Sequence, residues 1–171
     1  FKNKRALVRV DFNVPIDNNG NVTDNTRIKM AIPTLEKILN DGGSIVLMSH
    51  LGRPNDEPNK EFSLSQIISS LESLLEKKII FCSDCISDES FKTTKNLENG
   101  SVVLLENLRF HKEEKNGDKD FAQKLSNHGD VYVNDAFGTS HRAHSSTSLI
   151  ANYFPNDKMF GLLIEKEISC V

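Results

Sequence analysis

The chain is 171 residues long, enough for one well-buried domain and too short for two of ordinary size. Its net charge of -3 argues against bulk nucleic-acid binding, and its longest apolar runs, such as residues 45–48 and 102–105, are far too short to span a membrane. Three cysteines, an odd count, with no secretory signal at the front, point to a reducing cytosol, so a cytoplasmic protein is expected.

Taken in chain order, residues 6–10 (Ala-Leu-Val-Arg-Val) read as a strand, followed by a polar loop through Asp24. Ile28, Ile32, Leu35 and Leu39 recur at helical spacing and predict a helix over 26–40. Pro33 either kinks that helix or lies in the first turn of one that begins afresh, and Gly42-Gly43 supplies the stop. Residues 44–48 form the second strand. Ser63-Leu-Ser-Gln66 is a capping box that opens a helix to about Lys77, and residues 79–81 are the third strand. A short helix near 89–97 leads to the fourth strand at 102–105. Asp118 caps a helix ending at His128-Gly129, and residues 131–133 are the fifth strand. This alternation implies an α/β fold: a Rossmann-like parallel sheet with helices on both faces, three layers in all. No internal repeat, low-complexity tract or flexible linker interrupts it.

The residues that follow the strands carry the chemistry. The first strand ends in Asp11-Phe12-Asn13-Val14-Pro15 and the second in Ser49-His50-Leu51-Gly52-Arg53-Pro54. The fourth ends in Glu106-Asn107-Leu108-Arg109-Phe110-His111. The fifth runs through Asn134-Asp135-Ala136-Phe137-Gly138 to Thr139-Ser140-His141-Arg142-Ala143-His144-Ser145-Ser146. In a parallel sheet all these ends lie on one edge, where open α/β proteins bind ligands. Arg53, Arg109 and Arg142 therefore gather at one rim, and Arg27, at the start of the first helix, can reach it. Arginine suits two-pronged recognition of carboxylate and phosphate, so four around one crevice call for a ligand with several negative charges. A phosphorylated carboxylic acid or sugar fits.

Plainer readings stand beside this one. A single arginine after a strand is as often a solvated or ion-paired loop residue, with Glu106 and Asp135 available as partners. Asp11 and Asn13 can shape a turn before Pro15. The histidines show no familiar zinc spacing, and no metal site is expected in this chain. Cys82-Ser-Asp-Cys85 lacks the second pair of a structural zinc site, and Asp84 opposes a lowered thiol pKa. Neither G-x-x-x-x-G-K-[ST] nor G-x-G-x-x-G occurs, so the usual phosphate-cradling loops for a nucleotide are missing.

Four blocks, Val8-Arg-Val-Asp-Phe-Asn-Val-Pro15, Ser49-His-Leu-Gly-Arg-Pro54, Leu105-Glu-Asn-Leu-Arg-Phe110 and Asn134-Asp-Ala-Phe-Gly-Thr-Ser-His-Arg-Ala-His-Ser-Ser146, resemble the signature blocks of the phosphoglycerate kinases. They occur in the family's order, and the resemblance covers the whole chain. It implies reversible phosphoryl transfer in glycolysis between ATP and the carboxylate of 3-phosphoglycerate. It also implies that this chain is the N-terminal, substrate-binding domain (residues 1–160) with the start of an interdomain helix (161–171). The C-terminal nucleotide-binding half would be absent; separately, the lack of an initiator Met suggests that a few residues before Phe1 are missing too. By motif, Asp11, Phe12 and Asn13 would meet the substrate's hydroxyl and carboxyl end. His50, Leu51, Gly52 and Arg53, with Arg109 and Arg142, would receive its charged groups, and Arg27 would be the catalytic residue that stabilises the phosphoryl group in flight. Mg-ATP or Mg-ADP would be held mainly by the missing half, the full-length enzyme would be a monomer that closes by hinge bending, and the isolated piece would be inactive. Cys85 falls where the family often has a cysteine; Cys82 does not.

Two readings from other classes compete. A non-catalytic anion-binding α/β module would keep the basic rim yet tolerate loss of Arg27. An isomerase-like domain for sugar phosphates would need a general base, such as His50 or Asp11, beside a substrate carbon.

Overall fold

Strand β1 (Arg5–Val10) runs through the middle of a six-stranded sheet, its faces mostly apolar, and from Ala6 onward every residue is buried, Arg9 included. It pairs in parallel with β2 (Ser44–Met48) on one side and β5 (Val131–Asp135) on the other. β4 (Val102–Leu105) and then β3 (Ile79–Cys82) extend the β2 side, and β6 (Lys158–Phe160) closes the other, giving the order β3-β4-β2-β1-β5-β6. All these pairings are parallel. The computed structural model describes residues 1–136 and 144–162.

The period-two alternation of the strands divides the core into two halves. Ala6, Val8, Val10, Ile45, Leu47, Val102 and Leu104 face α1 (Thr26–Asn40) and α2 (Ile68–Leu75), which contribute Ile28, Leu35, Ile38 and Leu71. Leu7, Val46, Met48, Val103 and Leu105 face the opposite way and meet Phe121, Ala122 and Leu125 of α5 (Lys119–Ser126). The fold is a three-layer α/β sandwich. α3 (Asp88–Lys95), capped by the Ser87 hydroxyl, lies between β3 and β4 in the chain.

Most element bounds agree with the sequence reading to within a few residues, and the differences have local causes. α1 passes through Pro33 as one helix of 15 residues, neither broken nor restarted there. The lost backbone bond costs about 3 kcal/mol in an isolated helix; here Ile28, Ala31, Leu35 and Ile38 bury a continuous stripe that holds the helix to the sheet. The expected helix from Ser63 is instead a 3₁₀ turn, Leu64–Ile67, leading into a shorter α2. Ser63 Oγ does cap, accepting from Ser65 N at 3.2 Å. Gln66, however, donates its amide to the Ser63 carbonyl (2.9 Å) and does not accept from the Ser63 N–H as a capping box would. The one-turn helix α4 (Lys112–Asn116) and strand β6 were not expected. β6 has only three residues, all exposed, so neither burial nor alternation marks it.

Candidate functional site

The loops at the carboxyl end of the sheet are tied to one another by side chains that the motifs supply. After β1, Asp11 Oδ1 accepts from Asn13 N (3.1 Å), folding the loop back on itself. Phe12 N donates to Ser49 Oγ (2.9 Å) and Asn13 Oδ1 accepts from Gly52 N (2.8 Å), so the first loop is fastened to the second at two points. Gly52 has φ +62°, and a Cβ there would overlap the Phe62 ring, so both conformation and space require glycine. After β4, Asn107 Oδ1 caps the 3₁₀ turn Leu108–Phe110 through Arg109 N (3.0 Å), while Asn107 Nδ2 donates to the carbonyls of Leu51 (2.8 Å) and Phe62 (2.9 Å). Three strand ends thus form one rigid platform.

On that platform lies an open cleft of about 510 Å³, lined by Asp11, Asn13, Arg27, His50, Gly52, Arg53, Pro54, Arg109, Lys115 and His144. Among the described residues, four cationic side chains (Arg27, Arg53, Arg109, Lys115) face one carboxylate, Asp11. Arg27 Nη1 bridges the two oxygens of Asp11, at 3.3 Å each, and the Asn13 carbonyl at 2.8 Å. Arg53 is exposed, whereas Arg109 is almost buried, with Nη1 3.5 Å from the Gly52 carbonyl. Such an excess of positive charge within one cleft is chemically suited to an anion with several charges.

Seven of the residues singled out in the sequence meet in this cleft: Asp11, Asn13, Arg27, His50, Gly52, Arg53 and Arg109. Phe12 and Leu51 do not line it. Their side chains belong to the hydrophobic core beneath, so they shape the floor. Arg142 lies outside the described residues. Lys115 and His144 line the cleft without having been singled out as site residues. Lys115 is carried in by α4, a helix with no sequence signal of its own beyond the left-handed Gly117 that ends it.

Two of the plainer alternatives can be compared with the observed contacts. Glu106 is not an arginine partner: its carboxylate accepts from Ser63 Oγ (2.6 Å), Leu64 N (2.8 Å) and Asn107 N (2.9 Å), locking the 3₁₀ turn of residues 64–67 onto the site platform. Cys82 and Cys85 are both free and buried. Burial pushes both thiols up from their usual pKa, with Asp84 adding to the rise at Cys85. Cys85 lies close to Asp84 and His111, and His111 Nε2 is 3.0 Å from Asp84 Oδ1. Spacing along the chain gives no sign of this grouping, since His111 lies 26 residues beyond Cys85.

The phosphoglycerate kinase family model matches residues 1–171. The chain belongs to the phosphoglycerate kinase family. Among curated relatives, the phosphoglycerate kinase of Chlorobium limicola is 50% identical over 168 residues, covering 98% of this chain and 42% of that protein. That of Borrelia hermsii is 52% identical over 167 residues, with the same two shares. Solved structures include phosphoglycerate kinases from Coxiella burnetii (TM-score 0.87, 35% identity, 98% of this chain and 41% of that one) and Pyrococcus horikoshii (TM-score 0.88, 31% identity, 99% and 42%). The chain therefore spans about 42% of the length of the phosphoglycerate kinases it matches. Among the described residues no helix is long and apolar enough to cross a membrane.

Proposed function

We propose that this chain is the phosphoglycerate-binding part of a phosphoglycerate kinase, and that the whole protein transfers a phosphoryl group reversibly between ATP and the carboxylate of 3-phosphoglycerate. The observation that carries the reading is the cleft at the carboxyl edge of the sheet, where, among the described residues, four cations face one carboxylate. A phosphate monoester carries about 1.5 to 2 negative charges near pH 7 and a carboxylate adds one more, which matches that excess. Residues 1–160 form the substrate-binding domain and 161–171 begin the connection to the nucleotide-binding half. Arg53, Arg109 and Arg142, with His50, receive charges that the substrate carries throughout. Asp11 and Asn13 orient its hydroxyl and carboxyl end. Phe12, Leu51 and Gly52 contribute shape and backbone.

Arg27 has the catalytic role. Phosphoryl transfer is catalysed by positioning and by charge aimed at the transferring group. Arg27 is suited to that task, since its side chain is 53% exposed while Asp11 and the Asn13 carbonyl hold the guanidinium at the cleft. Magnesium does not fit this cleft: among the described residues it offers one carboxylate, already engaged by Arg27, where a hard cation takes six oxygen ligands. Nucleotide and metal are assigned to the other half. The protein works as a cytoplasmic monomer that closes about its hinge.

Titration calorimetry of residues 1–171, checked for folding by circular dichroism, tests the reading. We expect weak binding of 3-phosphoglycerate that falls with added salt, because screening acts on charge pairing, and scarcely any binding of MgATP. Tight MgATP binding with none of 3-phosphoglycerate would overturn it.

A further inference from the structure

Arg9 does not line the cleft. It points from β1 into the layer shared with α5, is fully buried, and lies behind His50. Its Nη2 is 3.0 Å from His50 Nδ1, its Nε donates to Ser146 Oγ at 2.9 Å, and its Nη1 donates to the Val10 carbonyl. Ser146 Oγ in turn donates to Glu114, itself fully buried, whose other oxygen accepts from Ser146 N at 2.8 Å. The Tyr132 hydroxyl donates to the Ser146 carbonyl at 2.7 Å. Burial lowers the Arg9 pKa, and the negative charges of Glu114 and Asp11 act against that fall. The guanidinium is therefore held on all sides and cannot turn away from His50.

A guanidinium has N–H donors and no acceptor. The nitrogen it meets must therefore accept, and a neutral imidazole that accepts at Nδ1 carries its proton on Nε2. A proton on Nδ1 would set two donors against each other at 3.0 Å. We infer that Arg9 is a positioning residue that fixes His50 in the Nε2–H tautomer, so that His50 serves the bound anion as a neutral hydrogen-bond donor and not as a general base. The inference rests on the anion-binding reading of the cleft and adds to it. His50 is a ligand-orienting donor, and the isomerase-like alternative loses its best candidate base. The same arrangement explains why an arginine is tolerated inside an apolar layer: its cost is met by Ser146, Glu114 and the Val10 carbonyl.

The test uses the full-length protein labelled with ¹⁵N-histidine, with the His50 signals assigned by their loss in His50→Gln. Long-range ¹H–¹⁵N spectra at neutral pH should show His50 protonated on Nε2 and bare on Nδ1. An Nδ1–H tautomer, an even mixture of the two, or an imidazolium would overturn the inference. In Arg9→Met the two tautomers should mix, KM for 3-phosphoglycerate should rise about tenfold, and the double variant Arg9→Met/His50→Gln should lose little more than His50→Gln alone. Simple additivity of the two losses would count against a role through His50. With Arg9 intact, His50→Gln, whose amide nitrogen falls near Nε2, should keep about tenfold more affinity than His50→Asn, and equal losses would refute the donor role. The tautomer is read without any ligand. Should 3-phosphoglycerate fail to bind while His50 keeps its Nε2 proton, the functional reading falls and the role of Arg9 stands.

Discussion

Arg27 Nη1 stands 3.3 Å from each carboxylate oxygen of Asp11, an ion pair that joins the first turn of α1 to the end of β1 across the mouth of the cleft. Asp11 thus holds the guanidinium over the cleft, and the pair can open when a ligand competes. Exposed pairs of this kind are worth little in stability, commonly under about 1 kcal/mol, so Arg27 can be removed without endangering the fold.

The first prediction follows for the full-length enzyme. Arg27→Ala should lower kcat about 30- to 1,000-fold with little change in KM, the loss expected when roughly 2–4 kcal/mol of transition-state stabilisation disappears. Arg53→Ala should mainly raise KM, because it removes binding that substrate and transition state share. Arg27→Lys should recover only part, since a point charge lacks the planar fork. Steady-state kinetics decide it: an Arg27→Ala enzyme with unchanged kcat and a raised KM would make Arg27 a binding residue like the others.

Gly52→Ala is expected to be costly twice over. The left-handed φ of +62° penalises a side chain by about 1–2 kcal/mol, and the new methyl would overlap the Phe62 ring. Urea unfolding should show the loss, and adding Phe62→Ala should relieve the overlap but leave the backbone penalty. Full stability in Gly52→Ala alone would mean that the loop has another conformation available.

Glu114→Ala should destabilise the protein by about 3–5 kcal/mol, because it strands the buried Arg9 charge and frees Ser146. An exposed neighbour, Lys115→Ala, should change stability by less than about 0.5 kcal/mol and weaken anion binding instead, since Lys115 lines the cleft. Chemical denaturation beside ligand titration separates the two effects.

His128 gives the fold a pH dependence. It is buried, stacks on Phe91 with ring centroids 4.6 Å apart, and places Nε2 2.7 Å from the Cys85 carbonyl and Nδ1 2.8 Å from Thr94 Oγ1. Burial pulls its pKa down from 6.5 to about 4, against the Cys85 carbonyl and with help from Arg5. Between those values the unfolded chain binds the extra proton, so stability is complete above about pH 6.5 and falls as pH drops towards 4, by up to about 3 kcal/mol. Urea midpoints at pH 7 and pH 5 should show this, and His128→Gln should flatten the difference. An equal slope in the variant would place the titration elsewhere.

Replacing Cys82 and Cys85 by serine should leave 3-phosphoglycerate binding within about tenfold, since their effects are confined to local packing in the second core. Their thiols should react slowly with disulfide reagents in the folded protein, because burial disfavours the thiolate. Stoichiometric zinc in the purified protein, lost in the double variant, would overturn this.

The sequence by itself determined the parallel sheet and the edge where its chemistry collects. Apolar runs at 6–10, 44–48 and 102–105 and the helical spacing from Ile28 to Leu39 are local signals, and strands buried on both faces leave few other arrangements. It also determined which polar residues follow those strands, so Asp11, His50, Arg53 and Arg109 could be placed together in advance. Only the tertiary structure decided what each polar residue is paired with. Glu106 turned from the arginines to Ser63 and Leu64, Phe12 and Leu51 went beneath the cleft, and Lys115 entered it on a helix too short to be recognised. Arg9 looked like an interior strand position and proved to be a buried charge joined through Ser146 to Glu114, 105 positions further on in the sequence. Hydrogen bonds and ion pairs depend on distance and angle in space to within an ångström, and spacing along the chain carries none of that for residues brought together by folding.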